Sequence, residues 1–307
     1  MPDSVRVQTG LLDAIRLWEL PHVGERGALR VLATCRRTGR SLATFFRLPE
    51  AVLLADYELH PAALTRLTRE RDEHDVRCRW WAQRLAAAGA DAVLHGETGY
   101  PRRLAERLAS PPAIVALLGQ RDVLAQPTLA VLNSRAVDER VVRASHAAVH
   151  AAIDQGFTVV SGGMKASHRI AAVAARAAAA PRVVVLDRGL FATFGARTDS
   201  DPFGFGPRRG PLDARRTLVV SPFRLGDHAA AHNGRRRDEI VAALADVVLV
   251  VHARPGGIIE RVALAALDRG QSVLSWYGEN AGLVAAGATA IEEADLATEL
   301  RRYLATE

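Results

Sequence analysis

Gly156-Phe157-Thr158-Val159-Val160-Ser161-Gly162-Gly163-Met164-Lys165-Ala166-Ser167-His168 is the stretch that decides the fold of this 307-residue chain. Phe157 to Val160 is an apolar run of strand length, Gly162-Gly163 is a turn signal, and an alanine-rich helical stretch runs from Ile170 to Ala179. A buried strand that breaks into a glycine turn before a helix offers backbone N–H groups and a helix N-terminus to an anion. The turn also carries Lys165, the only lysine of the chain. Two readings of it stay open: chemistry that a guanidinium cannot do, such as amine nucleophilicity or a tunable pKa, or one surviving surface lysine.

On either side of this stretch the same alternation recurs. Aliphatic runs at Thr128 to Leu132, Arg182 to Leu186, Thr217 to Val220, Val247 to Val251 and Ser272 to Trp276 alternate with helical stretches such as Glu139 to Gln155. Strands apolar on both faces and separated by helices predict an α/β fold, a doubly wound and mainly parallel sheet covered on both sides. Before Ala88 the pattern differs. Gly10 to Trp18, Gly27 to Thr38, Pro61 to Arg71 and Val76 to Ala88 carry helical character with no strand period between them. The expected organisation is a small helical domain over 1–88 followed by the α/β domain over 89–307. Leu20-Pro21-His22-Val23-Gly24-Glu25-Arg26-Gly27 is either a plain helix-helix turn or the Leu-Pro-x-Val/Ile-Gly hairpin of small DNA-contacting modules, which it resembles. Gly195 to Pro211, rich in Gly, Pro, Asp and Arg, reads as a long irregular insertion.

Nearly half of the residues are apolar, ample for a core, which argues against disorder. The longest apolar runs are far too short to cross a bilayer, and Met1 to Gly10 lacks a signal-peptide pattern. A cytoplasmic protein with no membrane partner is expected. Cys35 and Cys78 lie far apart without ligand spacing, and His228 and His232 have no third ligand signalled nearby. Neither a disulfide framework nor a metal nor any cofactor is therefore expected. The formal net charge is +6, and residues 204–237 alone hold eight arginines (208, 209, 215, 216, 224, 235, 236 and 237) against Asp213 and Asp227. That local excess suits a polyanionic partner.

In a doubly wound sheet, ligands sit beyond the carboxyl ends of the strands. Three segments converge there: Asn133-Ser134-Arg135, Ser161 to His168, and His252-Ala253-Arg254-Pro255-Gly256-Gly257-Ile258-Ile259-Glu260. The dinucleotide fingerprint GxGxxG with its ribose-binding acid is absent, which disfavours nicotinamide redox chemistry.

In this order the segments resemble the DprA/Smf family of DNA-processing proteins over nearly the whole chain. The family's Tyr-Pro-x-x-Leu is similar to Tyr100-Pro101-Arg102-Arg103-Leu104, followed by Pro111-Pro112 and Leu118-Gly119. Its Val-Gly-Ser-Arg resembles Leu132-Asn133-Ser134-Arg135, and its Ser-Gly-x-Ala-x-Gly-Ile-Asp resembles Ser161 to His168. Its Arg-Asn-Arg-Ile-Ile-Ala resembles Arg237-Asp238-Glu239-Ile240-Val241-Ala242, leading to Asp246 and a buried strand. The resemblance implies a Rossmann-like domain behind a small helical one.

The departures carry information of their own. Asn133 replaces a glycine, Ala166-Ser167-His168 replaces Gly-Ile-Asp, Asp238-Glu239 puts acids where the family has Asn-Arg, and Gly257-Ile258-Ile259 replaces Ser-Gly-Ser. Pro255-Gly256-Gly257-Ile258-Ile259-Glu260 partly echoes the Pro-Gly-Gly-x-Gly-Thr-x-x-Glu motif of lonely-guy type phosphoribohydrolases, which cut N-glycosidic bonds of nucleotides. DprA-like DNA glycosylases acting against phages with modified bases belong to the same neighbourhood. The resulting expectation is a DNA glycosylase in anti-phage defence. The alternatives are a single-strand-binding recombination mediator without catalysis and a nucleotide phosphoribohydrolase or sensor.

Base excision passes through an oxocarbenium-like sugar, so a carboxylate is needed near C1′. Glu260, Glu239 and Asp238 are the candidate acids, with Lys165 as phosphate ligand or, alternatively, attacking amine. Each acid has a structural reading too: Glu260 capping its own helix, and Asp238 and Glu239 pairing with neighbouring arginines. DNA phosphates are expected at Ser134, Arg135, Ser161, Gly162, Gly163, Lys165, Arg235, Arg236, Arg237, Gly256 and Gly257. A base flipped from the stack is expected among Asn133, His168, Phe203 and Phe205. The expected partner is DNA, as a flipped-out base or a single strand, with a homodimer left open.

Overall fold

The computed structural model describes residues 9–134, 138–163, 165–204 and 210–306. The amino-terminal part is helical: α1 (Thr9–Trp18), α2 (Gly24–Arg37), α3 (Leu42–Phe45), α4 (Glu50–Tyr57), α5 (Pro61–Thr68) and α6 (Arg71–Ala87). The α/β part continues with β1 (Ala90–Leu94), α7 (Arg102–Arg107), β2 (Ile114–Gly119), β3 (Thr128–Asn133), α8 (Glu139–Asp154), β4 (Thr158–Gly162), α9 (Ala166–Ala177), β5 (Arg182–Val185), α10 (Leu190–Phe194) and β6 (Thr217–Ser221). It closes with α11 (Asn233–Leu244), β7 (Val247–His252), α12 (Ile258–Asp268), β8 (Ser272–Trp276), α13 (Ala281–Ala285), β9 (Thr289–Ile291) and α14 (Glu293–Thr306).

Among the described residues nine strands form one sheet in the order β1-β2-β6-β5-β4-β3-β7-β8-β9. Pairing is parallel from β6 through β9, while β1–β2 and β2–β6 are antiparallel. The mainly parallel doubly wound sheet is as expected. The antiparallel edge formed by β1 and β2 was not anticipated.

The side-chain period of 2 divides the core cleanly. On one face Ala130 and Leu132, Val183 and Val185, and Val248 and Val250 pack under α7, α11 and α12. On the other face Leu129, Val131, Leu249 and Val251 meet α8, α9 and α14. The remaining half of that second face, with Ile114, Ala116, Val184 and Val219, is covered by the amino-terminal helices and α10 in one continuous apolar cluster. The helical segment thus does the work of the layer of helices that the β1–β2–β6 half would otherwise lack.

From β3 the chain winds through β4 and β5 to β6, then crosses back by α11 to place β7 on the opposite side of β3. A reversal of strand order opens a crevice beyond the carboxyl ends of the flanking strands. Here that divide lies between β3 and β7, with β4 beside it. The register of β3 and β7 shifts by one residue between Leu132 and Asn133, so Asn133 pairs with His252 at the divide.

Candidate functional site

The strand ends converge as their sequence positions suggested. The Ser134 amide donates to the His252 carbonyl at 2.8 Å, and the Arg254 amide donates to the Ser134 hydroxyl at 2.8 Å, joining the β3 and β7 segments across the divide. Asn133 is buried and donates through Nδ2 to Ser145 Oγ at 2.9 Å. Its Oδ1, and Ser161 Oγ at the neighbouring end of β4, are buried without a hydrogen-bond partner among the described residues. Burial of a polar atom without a partner costs about 1–3 kcal/mol. Both atoms lie at the carboxyl ends of the neighbouring strands β3 and β4.

Beneath the glycine turn lies a buried ionic network. Arg237, only 1% exposed, donates to Asp238 Oδ1 from Nε at 2.9 Å and from Nη2 at 2.7 Å, and to Asp187 Oδ2 from Nη1 at 3.4 Å. Its Nη2 also lies 3.2 Å from His168 Nε2, and because a guanidinium only donates, that nitrogen accepts. The imidazole proton then sits on Nδ1, 3.5 Å from Asp238 Oδ1. Burial pushes the Asp238 carboxyl above its ordinary range, and Asp187 adds to the push against the opposing pull of Arg237 and Lys165. Gly162 rests directly on this network: a Cβ there would come within 2.7 Å of Arg237 Cδ and 2.9 Å of its Nε. Lys165 precedes α9 without capping it by its side chain, and its ammonium lies over Gly234, where a Cβ would be 2.6 Å from Nζ. The lysine thus links the glycine turn to the first turn of α11, rather than standing as an isolated surface charge.

The arginine triplet divides into three roles. Arg235 is exposed and pairs with Glu239 at 2.8 Å. Arg236 meets Glu239 at 3.3 Å and Glu25 of α2, and donates to the Ser110 carbonyl at 2.6 Å, so it fastens α11 to the helical segment. Arg237 is interior, which corrects the expectation of three phosphate-holding arginines: its donors are committed to Asp187, Asp238 and His168. Phe203 is likewise fully buried, its ring lying where a Gly163 Cβ would be 2.4 Å away, so it is core and not the wall of a base pocket. His168 is also interior, with its nitrogens engaged in the network. Arg135 and Phe205 lie outside the described residues.

Each candidate acid is held by its own surroundings. Asp238 is inside the network, and Glu239 pairs with two arginines. Glu260, in the first turn of α12, accepts from the Gly256 amide at 2.6 Å, with Gly256 at φ +67° and Gly257 at the start of the helix. That is the capping arrangement a Glu at the third helical position makes with the backbone before it. Beside this loop, Asn280 bridges β7 and β8: its Oδ1 accepts from the Ala253 amide at 2.6 Å and its Nδ2 donates to the Val250 carbonyl at 3.1 Å. Asn280 holds φ +55°, a left-handed conformation that asparagine tolerates. Asp187 and Asn280 were both missed from sequence. Asp187 had a signal, an acid directly after an apolar strand; Asn280 had none beyond a Gly-Glu-Asn turn.

A cavity of about 550 Å³ beside Tyr100, Arg103, Arg107 and Asp246 lies at the opposite, amino-terminal ends of the strands. Arg103 and Arg107 converge there on Asp246, and Arg107 also donates to the Ala243 and Ala245 carbonyls. The Tyr-Pro-x-x-Leu segment and Asp246 therefore form a structural joint remote from the crevice. Both cysteines are buried thiols, and burial pushes Cys78 up to about 12, which keeps it protonated and inert. Among the described residues no helix is long and apolar enough to cross a membrane.

The model of the DNA recombination-mediator protein A family matches residues 91–303. The fold is similar to the X-ray structure of DNA processing protein A (DprA) from Streptococcus pneumoniae, with a TM-score of 0.71 and 18% identity over 94% of this chain and 97% of that one. It is also similar to DNA processing protein A from Helicobacter pylori, a structure described for its single-stranded DNA binding mode, with a TM-score of 0.55 and 17% identity over 71% of this chain and 96% of that one. No curated protein matches the sequence. With 91–303 matched, well over half of its length, and the fold and strand-end segments in place, this chain belongs to the DNA recombination-mediator protein A family.

Proposed function

We propose that this chain binds single-stranded DNA across the carboxyl ends of β3, β4 and β7 and acts as a recombination mediator without covalent chemistry. Membership of the DNA recombination-mediator family supports the mediator role, and the single-stranded DNA binding mode described for the Helicobacter pylori protein supports the ligand. The observation that carries the absence of covalent chemistry is the state of the acids: Asp238, Glu239 and Glu260 are each engaged by a neighbouring guanidinium or backbone amide. Oxocarbenium stabilisation needs a carboxylate aimed at the sugar. A base-excising or anti-phage role has no comparable support, since Glu260 beside the crevice has a sufficient structural task and Glu279 is engaged by His252.

In this reading phosphates meet the turn at Ser161, Gly162, Gly163 and Lys165, the exposed Arg235, and the loop at Ser134, Gly256 and Gly257, while bases lie toward Asn133. We take 1–88 and 89–307 as the two domains, and the protein as cytoplasmic. The test is binding of a fluorescent deoxythymidine oligonucleotide over a range of salt, together with recombinase filament assembly on a strand coated with single-strand-binding protein. The expected results are affinity that falls log-linearly with salt and filaments that form faster with the protein present. Free base released from the strand would return the Glu260 chemistry to first place, and in that case Glu260→Gln would abolish release while retaining binding.

A further inference from the structure

The chain is poor in aromatics, yet α6 places two tryptophans side by side and leaves Trp80 50% exposed. The two indoles meet edge-on, with centroids 4.5 Å apart and planes at 63°. Trp81 stacks on Phe191 of α10 at 5.6 Å and 14°, and it closes against Gly226, where a Cβ would lie 3.1 Å from the indole. Arg84 inserts its guanidinium between them, 4.1 Å from the Phe191 centroid and 5.3 Å from that of Trp80, and it donates to the Gly195 carbonyl. The result is a rigid ledge of alternating π faces and fixed positive charge, with one indole open to solvent. Arg77 and Arg79 flank it with partly exposed side chains.

The ledge is tied to the residues beneath the glycine turn through α10. Phe191 stands four residues after Asp187, the acid that binds Arg237 beneath the glycine turn, and the Phe191 amide donates to the Leu225 carbonyl just past β6 at 2.9 Å. Four residues span at most roughly 14 Å. A strand whose phosphates run over the turn at Gly162 and Lys165 would bring a nearby base to Trp80.

We infer that Trp80, buttressed by Arg84 and Trp81, is a nucleobase-stacking site that extends the single-strand path from the strand-end crevice onto the helical segment. This rests on the DNA-binding reading above and adds the residue that grips bases regardless of their identity. Aromatic side chains hold bases in this way because every base has a π face, and a guanidinium adds cation–π attraction.

The experiment titrates labelled oligo(dT), and a matched strand of abasic sugar-phosphates, with the wild-type chain, Trp80→Ala and Trp80→Phe. Trp80→Ala is expected to weaken oligo(dT) binding by about 5- to 100-fold, leave the salt slope unchanged because no phosphate contact is lost, and leave abasic-strand binding as in the wild type. Trp80→Phe should recover most of the loss, which a folding defect would not. If the wild type binds oligo(dT) and Trp80→Ala binds it equally, the stacking site is wrong and the DNA-binding reading stands. If the wild type itself fails to bind, both fall. Loss of self-association in Trp80→Ala with DNA affinity intact, measured by sedimentation, would make the ledge a protein interface and overturn the inference.

Discussion

Replacing Arg237 by alanine should damage the fold far more than DNA binding through phosphates, and the size of the effect follows from its surroundings. The guanidinium is interior and lies between Asp187 and Asp238. Without it two carboxylates share a buried site that also contains His168. Breaking a buried pair by removing one partner costs about 3–5 kcal/mol, equivalent to a fall in Tm of roughly 5–8 °C for a chain of this size. The carboxyl of Asp238 is already pushed up by burial, and loss of the guanidinium removes its main opposing influence. In the variant, therefore, the protonated form of Asp238 is favoured further. The penalty should shrink at pH 5 and grow at pH 8, because only the ionised pair is costly. Thermal and urea denaturation followed by circular dichroism at both pH values measures this directly. Arg235→Ala, at an exposed position, should stay within about 0.5 kcal/mol of wild type. Arg237→Met combined with Asp238→Asn should regain part of the loss by removing one of the stranded charges. An Arg237→Ala protein as stable as Arg235→Ala, with its DNA affinity lost, would show the guanidinium to be a phosphate ligand and not a structural one.

Two further outcomes concern packing and pH. Gly163→Ala should destabilise by about 1–3 kcal/mol through overpacking, because its Cβ would lie 2.4 Å and 2.6 Å from Phe203 ring atoms and 2.7 Å from Val184 Cγ1; urea midpoints equal to wild type would contradict that packing. His74 is buried with Nε2 3.1 Å from the Arg16 carbonyl, and burial lowers its pKa from 6.5 to about 4. Between those values the unfolded chain takes up a proton that the folded chain refuses, so stability falls with pH by up to about 3 kcal/mol. Asp13, Glu19 and Glu25, whose pKa values burial raises, act in the opposite direction. The comparison that isolates His74 is therefore wild type against His74→Leu from pH 7 to pH 4, and identical slopes would exclude the imidazole as the cause.

The parallel strands were legible because each is a short aliphatic run bounded by turn signals. β1 was hidden because Ala90-Asp91-Ala92-Val93-Leu94 continues the alanine-rich end of α6 with no break in composition except Gly89. In the site, convergence of the three strand ends was readable from connectivity, but side-chain direction was not. Arg235, Arg236 and Arg237 are adjacent in sequence yet turn by about 100° each on a helix, so they cannot share one task. The clue was present: Ile240, Val241 and Leu244 stand three, four and seven residues after Arg237, placing that arginine on the buried face. Phe203 looks exposed in the sequence because it stands in a Gly- and Asp-rich insertion. Its amide donates to Asp201 at 2.8 Å, and Asp201 in turn pairs with the buried Arg182, folding the insertion back so that the ring fills the space beneath Gly163.

The most direct test follows one labelled single strand through binding and recovery. The strand is incubated with the protein, its bound fraction is read by anisotropy, and it is then stripped and analysed by mass spectrometry for free base and by alkali for cleavage. Saturable, salt-sensitive binding is expected, with every base retained on normal and modified strands alike. Base release in proportion to protein, lost in Glu260→Gln, would contradict that expectation.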